Sequence, residues 1–333
     1  MQTCKEIGEF GLIQKLFKNI PARRSDVILG TGDDAAAVIA EPGVLLLSTV
    51  DSQVEGVHFR WELISAAQLG HKLAAINLSD IAAMGGTPEF ALINLSVPED
   101  FPVEKVELFY DGLIKELDRW NVQIIGGNVS AAAVFSASLT LLGKEAPDHL
   151  KTRSGAEPGD WLCVTGSLGK GAAGFQLAEN PDIVFDERSK VTAFWQTPEA
   201  RIQAGQRLSG FSEVHAMIDV SDGLAGDGTH LCEAGRTGCI IFEDSLPIHP
   251  LVRKTAGTFG ESLTDWALYG GEDYELLFAI DPGAFGKIKK DLSSIVPVTV
   301  IGEIISSEGV IRLKHKNGNL EPLRKQAWDH FRS

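Results

Sequence analysis

The chain has 333 residues and a formal net charge of −15, and it is 44% hydrophobic and 23% charged. That is enough apolar mass for two ordinary domains, and it excludes a disordered protein. So acidic a balance excludes nucleic acid as a partner, because phosphate backbones are bound through lysine and arginine. No apolar run approaches the roughly 18 residues that cross a bilayer, so a cytoplasmic protein with no membrane partner is expected.

Phe10, Ile13, Leu16, Phe17 and Ile20 fall at helical spacing, with Glu6 and Glu9 where a signal peptide would be basic; the start of the chain reads as a structural helix. Strand signals follow at "VLLLSTV" (44–50), "FALINLSV" (90–97), "VQIIGG" (122–127) and "AVFSASLTLLG" (133–143), separated by helical stretches near 64–85 and 103–120. The polar segment 144–160, with two prolines and two glycines, marks a boundary between an N-terminal domain over 1–147 and a C-terminal domain over 148–333. Beyond it, "DWLCVTG", "VHAMIDV", "GCIIF", "YELLFAID" and "VPVTVIG" read as strands, with a helix over about 222–234 that Gly235 stops. The fold class is a two-domain one, α/β followed by α+β. Cys4, Cys163, Cys232 and Cys239 form no CxxC pair, so neither a disulfide nor a zinc site is expected.

Carboxylates occupy suggestive places in this frame. Asp33 and Asp34 follow a Gly-x-Gly turn, Asp51 closes one strand, Asp219 closes another, and Asp222 stands where the next helix would begin. Strand ends are where active sites collect. Asp80 differs: Leu69, Leu73, Ile76, Asp80 and Met84 step by three or four, which puts a carboxylate in an apolar helical stripe. A buried unpaired carboxylate is costly, so Asp80 needs a cation, a set of donors or a proton. Taken singly, Asp222 could be a helix N-cap and Asp33 and Asp34 turn residues. Together, so many like charges can converge only around cations, since one such pair at 4 Å costs about 4 kcal/mol at an effective dielectric of 20.

"GKGAAG" (169–174) fits Gly-x-Gly-x-x-Gly after a strand, which leaves a dinucleotide-binding turn conceivable. No Gly-x-x-x-x-Gly-Lys-Ser/Thr occurs, so a P-loop enzyme is excluded, and the eight histidines form no metal motif.

The segments "GEFGLIQKLF", "GTGDDAA", "STVDSQVEGVHF", "INLSDIAAMGGTP", "TRSGAEPGDW", "AMIDVSDGLAGD", "GGEDYELLF" and "WDHF" occur in the order seen in the thiamine-monophosphate kinase family, and they span nearly the whole chain. That family resembles aminoimidazole-ribotide synthetase, selenophosphate synthetase and a hydrogenase maturation factor, which use ATP on two-domain folds without a P-loop. Selenophosphate synthetase would show a reactive Cys in a glycine-rich motif, and "TCKE" lacks the glycines.

The resemblance implies transfer of the ATP γ-phosphoryl group to thiamine monophosphate, several Mg2+ ions, an aminoimidazole-ribotide synthetase-like N-terminal domain and a homodimer. By motif it implies Asp33, Asp34, Thr49, Val50 through its carbonyl, Asp51, Asp80, Asn128, Asp219 and Asp222 as metal ligands. It implies Gly126, Gly127, Asn128, Arg153 and Ser221 at ATP, and His58, Glu272 and Trp328 at the acceptor. Two positions depart from the family pattern: Asn128 stands where Asp is usual, and Val50 interrupts a usual Ser-Thr-Asp. A neutral amide ligates magnesium with less charge, so weaker metal affinity is expected at Asn128. A homologue that binds nucleotide or thiamine phosphate without turnover, or a sister ATP-using enzyme, is the alternative.

Overall fold

The structure, a computed structural model, describes residues 27–29 and 33–323. The N-terminal helix read around Phe10 to Ile20, the Gly30–Gly32 turn and Trp328 lie outside the described residues.

The first half builds a six-stranded sheet from β1 (Val27–Leu29), β2 (Ala36–Glu41), β3 (Val44–Val54), β4 (Thr87–Val97), β5 (Gln123–Ala131) and β6 (Ser136–Glu145), in the order β1-β2-β3-β6-β4-β5. Neighbours are antiparallel except β4 and β5, which are parallel. Parallel neighbours require a crossover, supplied here by the helix Val103–Asp118. Alternation decides the faces: Leu45, Leu47, Ala91, Ile93 and Leu95 are buried, while Val50, Phe90 and Leu92 point out of the opposite face and are exposed.

The second half forms a seven-stranded sheet from β7 (Trp161–Thr165), β8 (Val214–Asp219), β9 (Gly238–Phe242), β10 (Leu276–Ile280), β11 (Val298–Ile305), β12 (Ile311–Lys314) and β13 (Leu320–Pro322). Its order is β13-β12-β9-β11-β7-β10-β8. Every residue of β10 is buried, as its unbroken run Leu-Leu-Phe-Ala-Ile requires.

The helices, in chain order, are α1 (Ala66–Ala83), α2 (Val103–Asp118), α3 (Lys170–Glu179), α4 (Arg188–Gln196), α5 (Ile202–Ser209), α6 (Leu224–Gly235), α7 (Pro250–Phe259), α8 (Leu263–Tyr269) and α9 (Phe285–Leu292). α1 is the structural pivot. Ser65 and Gln68 close a capping box at its start, and 14 of its 18 residues are buried, a degree that only a helix enclosed on several sides reaches. It lies against β3 and β6 of the first sheet and against α5 and β8 of the second half. Gly112 lets α2 approach it: a Cβ there would stand 1.8 Å from the Ala67 carbonyl oxygen.

The expected strands are present, longer than read in β3, β4 and β5 and shifted to 136–145 in β6, and three local readings are corrected. Asp51 lies inside β3, which runs on to Val54. Asp222 is not the N-cap of α6, because the residue before the helix is Gly223, at φ 100°. Gly235 is helical, and Arg236 takes the left-handed terminal conformation at φ 53°, its N–H reaching the Cys232 and Glu233 carbonyls. The dinucleotide reading of "GKGAAG" also fails on geometry. The N–H groups of Gly169 and Gly171 already donate to the Asp273 carboxylate at 2.6 and 3.0 Å, and Lys170 pairs with Glu275 at 2.6 Å. Cys163, Cys232 and Cys239 are buried free thiols.

Candidate active site

Three carboxylates from distant parts of the chain meet between the two halves. Asp34 precedes β2, Asp80 lies near the end of α1 and Asp219 ends β8; each offers an oxygen within 4.8 Å of the others. The motif Asn77-Leu78-Ser79-Asp80 faces both halves at once. Asn77 Oδ1 accepts the backbone N–H of Asp51 at 2.9 Å, Ser79 Oγ donates to Asp219 at 2.6 Å, and Thr49 Oγ1 donates to Asp80 at 2.5 Å. Thr49 and Asp51 share the face of β3 that looks at α1, and Val50 points the other way.

Arg153, in the segment between the two sheets, stands beside the cluster. Its Nε and Nη2 both donate to Asp34 at 3.0 Å, and its backbone N–H donates to Asp33 at 3.1 Å. One guanidinium does not balance the carboxylates. Burial and then the charge of Asp34 push Asp33 up to about 7, and the same two causes push Asp219 up to about 8. Burial, then the charges of Asp51, Asp219 and Asp34, hold Asp80 well above the usual carboxylate range. Asp227, in the first turn of α6, is a further buried member. It accepts the Asp222 backbone N–H at 3.1 Å, and burial, then Asp222 and Asp219, raise it likewise. The donors are all hard oxygens, and repulsion among them is relieved by a proton or a divalent cation; magnesium fits this chemistry.

Against this cluster lies the loop "GGEDYEL". Glu272 and Tyr274 adopt left-handed backbone, φ 54° and 49°, which non-glycine residues hold only when their surroundings impose it. The surroundings are on hand. The N–H of Glu272 donates to Ser221 O at 2.7 Å and that of Tyr274 to Val220 O at 2.8 Å. Asp273 caps α3, and Glu275 is gripped by Arg201 and Lys170. Burial opposes ionisation of Glu275, but the Lys170 and Arg201 charges hold it near 2. Glu272 is left to project toward α1, where Lys72 Nζ meets it at 2.5 Å and the Trp195 indole N–H donates to it at 2.5 Å.

Residues 32–144 match the family "AIR synthase related protein, N-terminal domain", and residues 157–314 match its C-terminal domain. Over 98% of this chain and 100% of the relative, the sequence is 34% identical to a thiamine-monophosphate kinase of Bacillus subtilis. It is 36% identical to that of Escherichia coli over 97% of this chain and 98% of the relative. The chain belongs to the thiamine-monophosphate kinase family. The fold agrees: a solved structure described as AaThiL complexed with AMPPCP and TMP superposes with a TM-score of 0.86 at 30% identity, covering 99% of each chain.

As a member of the thiamine-monophosphate kinase family, the chain sorts its expected site residues into two groups. Asp33, Asp34, Thr49, Asp51, Asp80, Arg153, Asp219, Ser221 and Asp222 line one region between the halves. Ser221 Oγ is 3.5 Å from Asp219, and Asp51 and Asp222 act on Asp80 and Asp227 through their charges. Gly126, Gly127 and Asn128 are elsewhere, on the exposed edge strand β5. Asn128 Nδ2 donates to Asn94 Oδ1 at 3.1 Å, and the cross-strand row runs Ser52, Ser138, Asn94, Asn128. Three strand spacings put Asn128 about 14 Å from Ser52. Gly127 is glycine because a Cβ would stand 2.0 Å from Ile93 O of β4, a demand of the sheet itself. His58 closes the turn after β3 by accepting the Val54 N–H on Nδ1 at 3.0 Å. Sequence reasoning did not single out Asp227, Ser79, Asn77, Lys72 or Trp195. Asp227 and Ser79 were within reach, since both stand inside the quoted motifs; Lys72 and Trp195 carry no local signal.

Proposed function

We propose that this protein transfers the γ-phosphoryl group of ATP directly to the phosphate of thiamine monophosphate, giving thiamine diphosphate. The observation that carries the reading is the convergence of Asp34, Asp80 and Asp219 from both halves into one cluster. Donor and acceptor are both polyanions, so transfer is mainly a matter of position and charge. Asp34, Asp80 and Asp219 would hold Mg2+, with Asp33, Thr49, Asp51, Asp222 and the Val50 carbonyl contributing around them. Bound there, magnesium would neutralise phosphate charge and align the attacking and leaving oxygens.

The chain's own groups do the rest. Arg153 presents a planar fork suited to the nucleotide phosphates, with Ser221 at the same phosphates. The backbone of Gly126, Gly127 and Asn128 would take the nucleotide from β5, and Glu272, His58 and Trp328 the acceptor. The attacking group is a phosphate oxygen already largely ionised near pH 7, so no strong base is required of the protein. Residues 1–147 then carry nucleotide, metal and dimer contacts, and 148–333 complete the site. A homodimer is supported by β5, an edge strand exposed along nearly its whole length, and by the outward Val50, Phe90 and Leu92. The buried reduced thiols are in keeping with a cytoplasmic protein.

The test is to incubate the protein with ATP, magnesium and thiamine monophosphate and separate the products. Thiamine diphosphate and ADP in equal amounts are expected. Binding of both ligands without product would identify a non-catalytic homologue, and turnover only with an aminoimidazole precursor or selenide would identify a sister enzyme.

A further inference from the structure

Away from the carboxylate cluster, α1 buries a lysine. Lys72 is completely inaccessible, yet its ammonium meets Glu272 at 2.5 Å and lies 4.1 Å from the centre of the Trp195 ring. Trp195, 1% exposed, donates its indole N–H to the other Glu272 oxygen at 2.5 Å. The Glu272 side chain is 35% exposed. A side chain as free as glutamate is thus fixed by two buried partners, on a backbone held in the left-handed region, with acceptor capacity left over on a partly exposed carboxylate. Beside it, Phe175 packs on Trp195 with ring centroids 5.3 Å apart and remains 37% exposed. α3 brings Phe175 to this place: Gly171, one turn earlier on the same face, lies so close to residues 271 and 272 that a Cβ would meet their carbonyls at 2.3 and 2.7 Å.

We infer that Lys72 and Trp195 are positioning residues that hold Glu272 as the recognition group for the ring end of the acceptor, with Phe175 as the exposed aromatic wall of that subsite. An outward carboxylate next to an exposed ring suits a flat, cationic or amino-bearing heteroaromatic group. α1 sets the length of the site. Lys72 and Asp80 are eight residues apart, about 12 Å of helix rise, so one rigid element fixes the ring anchor at one end and the phosphate cluster at the other. The loop 271–275, hydrogen-bonded to Val220 and Ser221, ties the same two ends together on the opposite side. The inference rests on the proposed acceptor being thiamine monophosphate.

Trp195→Phe keeps the ring and removes the N–H, while Lys72→Met removes the charge and keeps much of the volume. Each removes one charge-assisted contact, so the KM for thiamine monophosphate should rise about tenfold. The KM for ATP and kcat should stay within about threefold, because neither Lys72 nor Trp195 is among the proposed nucleotide or metal contacts, which lie on β5 and around the Asp80 end of α1. Preference for thiamine monophosphate over hydroxyethylthiazole phosphate, which lacks the aminopyrimidine, should shrink in parallel. An unchanged acceptor KM and preference in folded Trp195→Phe would overturn the inference, as would equal changes in kcat and both KM values, the mark of general disruption. Should Lys72→Met not fold, Trp195→Phe decides alone. Should the unaltered protein make no thiamine diphosphate, the functional reading fails separately. Calorimetric binding of thiamine monophosphate, tight in the unaltered protein and weaker in Trp195→Phe, then supports the inference; equal binding, or none, refutes it.

Discussion

Ser79 is not itself among the expected metal or substrate contacts, yet its 2.6 Å hydrogen bond orients the Asp219 carboxylate from the buried face of α1. Partners behind a metal ligand typically matter 10- to 100-fold in affinity. Ser79→Ala is therefore expected to raise the magnesium concentration for half-maximal rate about tenfold, with kcat at saturating magnesium little changed; steady-state rates over a magnesium series check this. Glu275 is fully buried and paired with both Lys170 and Arg201. Removing one member of a buried ion-pair network costs about 3 kcal/mol or more, so Glu275→Gln should lower unfolding free energy by that order at pH 7, read by urea titration. Its pKa is depressed from 4.5 to about 2 in the folded protein, so its stabilisation is complete above pH 4.5 and is lost as pH falls toward 2. The gap between Glu275→Gln and the unaltered protein should accordingly narrow between pH 5 and pH 3.5, and a constant gap would contradict the assigned ion pair. Single residues were unequally legible. Asp80 announced itself as a charge on an apolar stripe, whereas Lys72 and Glu275 make their ion pairs with residues 200 and 105 positions away in sequence, a separation that no local pattern encodes.

At the level of elements, the α1–α2 contact is set by backbone approach rather than by large side chains. A Cβ at Gly112 would meet Ala67 O at 1.8 Å, and one at Gly70 would meet Phe109 O at 1.9 Å. Gly112→Ala should force the helices apart and cost about 3 kcal/mol, visible as a lower melting temperature, while the open Gly257, where a Cβ meets nothing within 4 Å, should accept alanine with little loss. Nine strands were readable because alternation, as in β3 and β4, or an unbroken apolar run, as in β10, reports burial directly; β1, β2, β12 and β13 were not read. Helix ends were less so: Arg236 in the left-handed terminal position replaces the glycine that propensity favours. Nor did composition distinguish a phosphate-binding glycine turn from one already filled by Asp273. The distinction depends on β10 carrying the preceding loop against α3, a tertiary fact.

For the molecule as a whole, two halves with their own sheets share one helix and one acidic cluster, and the first sheet leaves an apolar face and an edge strand exposed. If that face pairs with a second copy, Leu92→Lys or Ile125→Lys, both at exposed positions, should convert a dimer to a monomer in sedimentation velocity, and activity should fall with it. In that arrangement Asn128, remote from Asp51 within one chain, would meet ligands across the interface, and Asn128→Asp should then lower the magnesium requirement. The convergence itself could be anticipated from the number of carboxylates at element ends, and the family resemblance named which of them meet; the added member Asp227 and the close approach of Asp34, Asp80 and Asp219 are fixed by how α1 docks between the sheets. The most direct measurement is a manganese titration followed by electron paramagnetic resonance, in the presence of a nonhydrolysable ATP analogue. The unaltered protein should bind manganese tightly, and Asp80→Asn and Asp219→Asn should each lose most of that binding while remaining folded; equal manganese binding in all three proteins would contradict the assignment of the cleft.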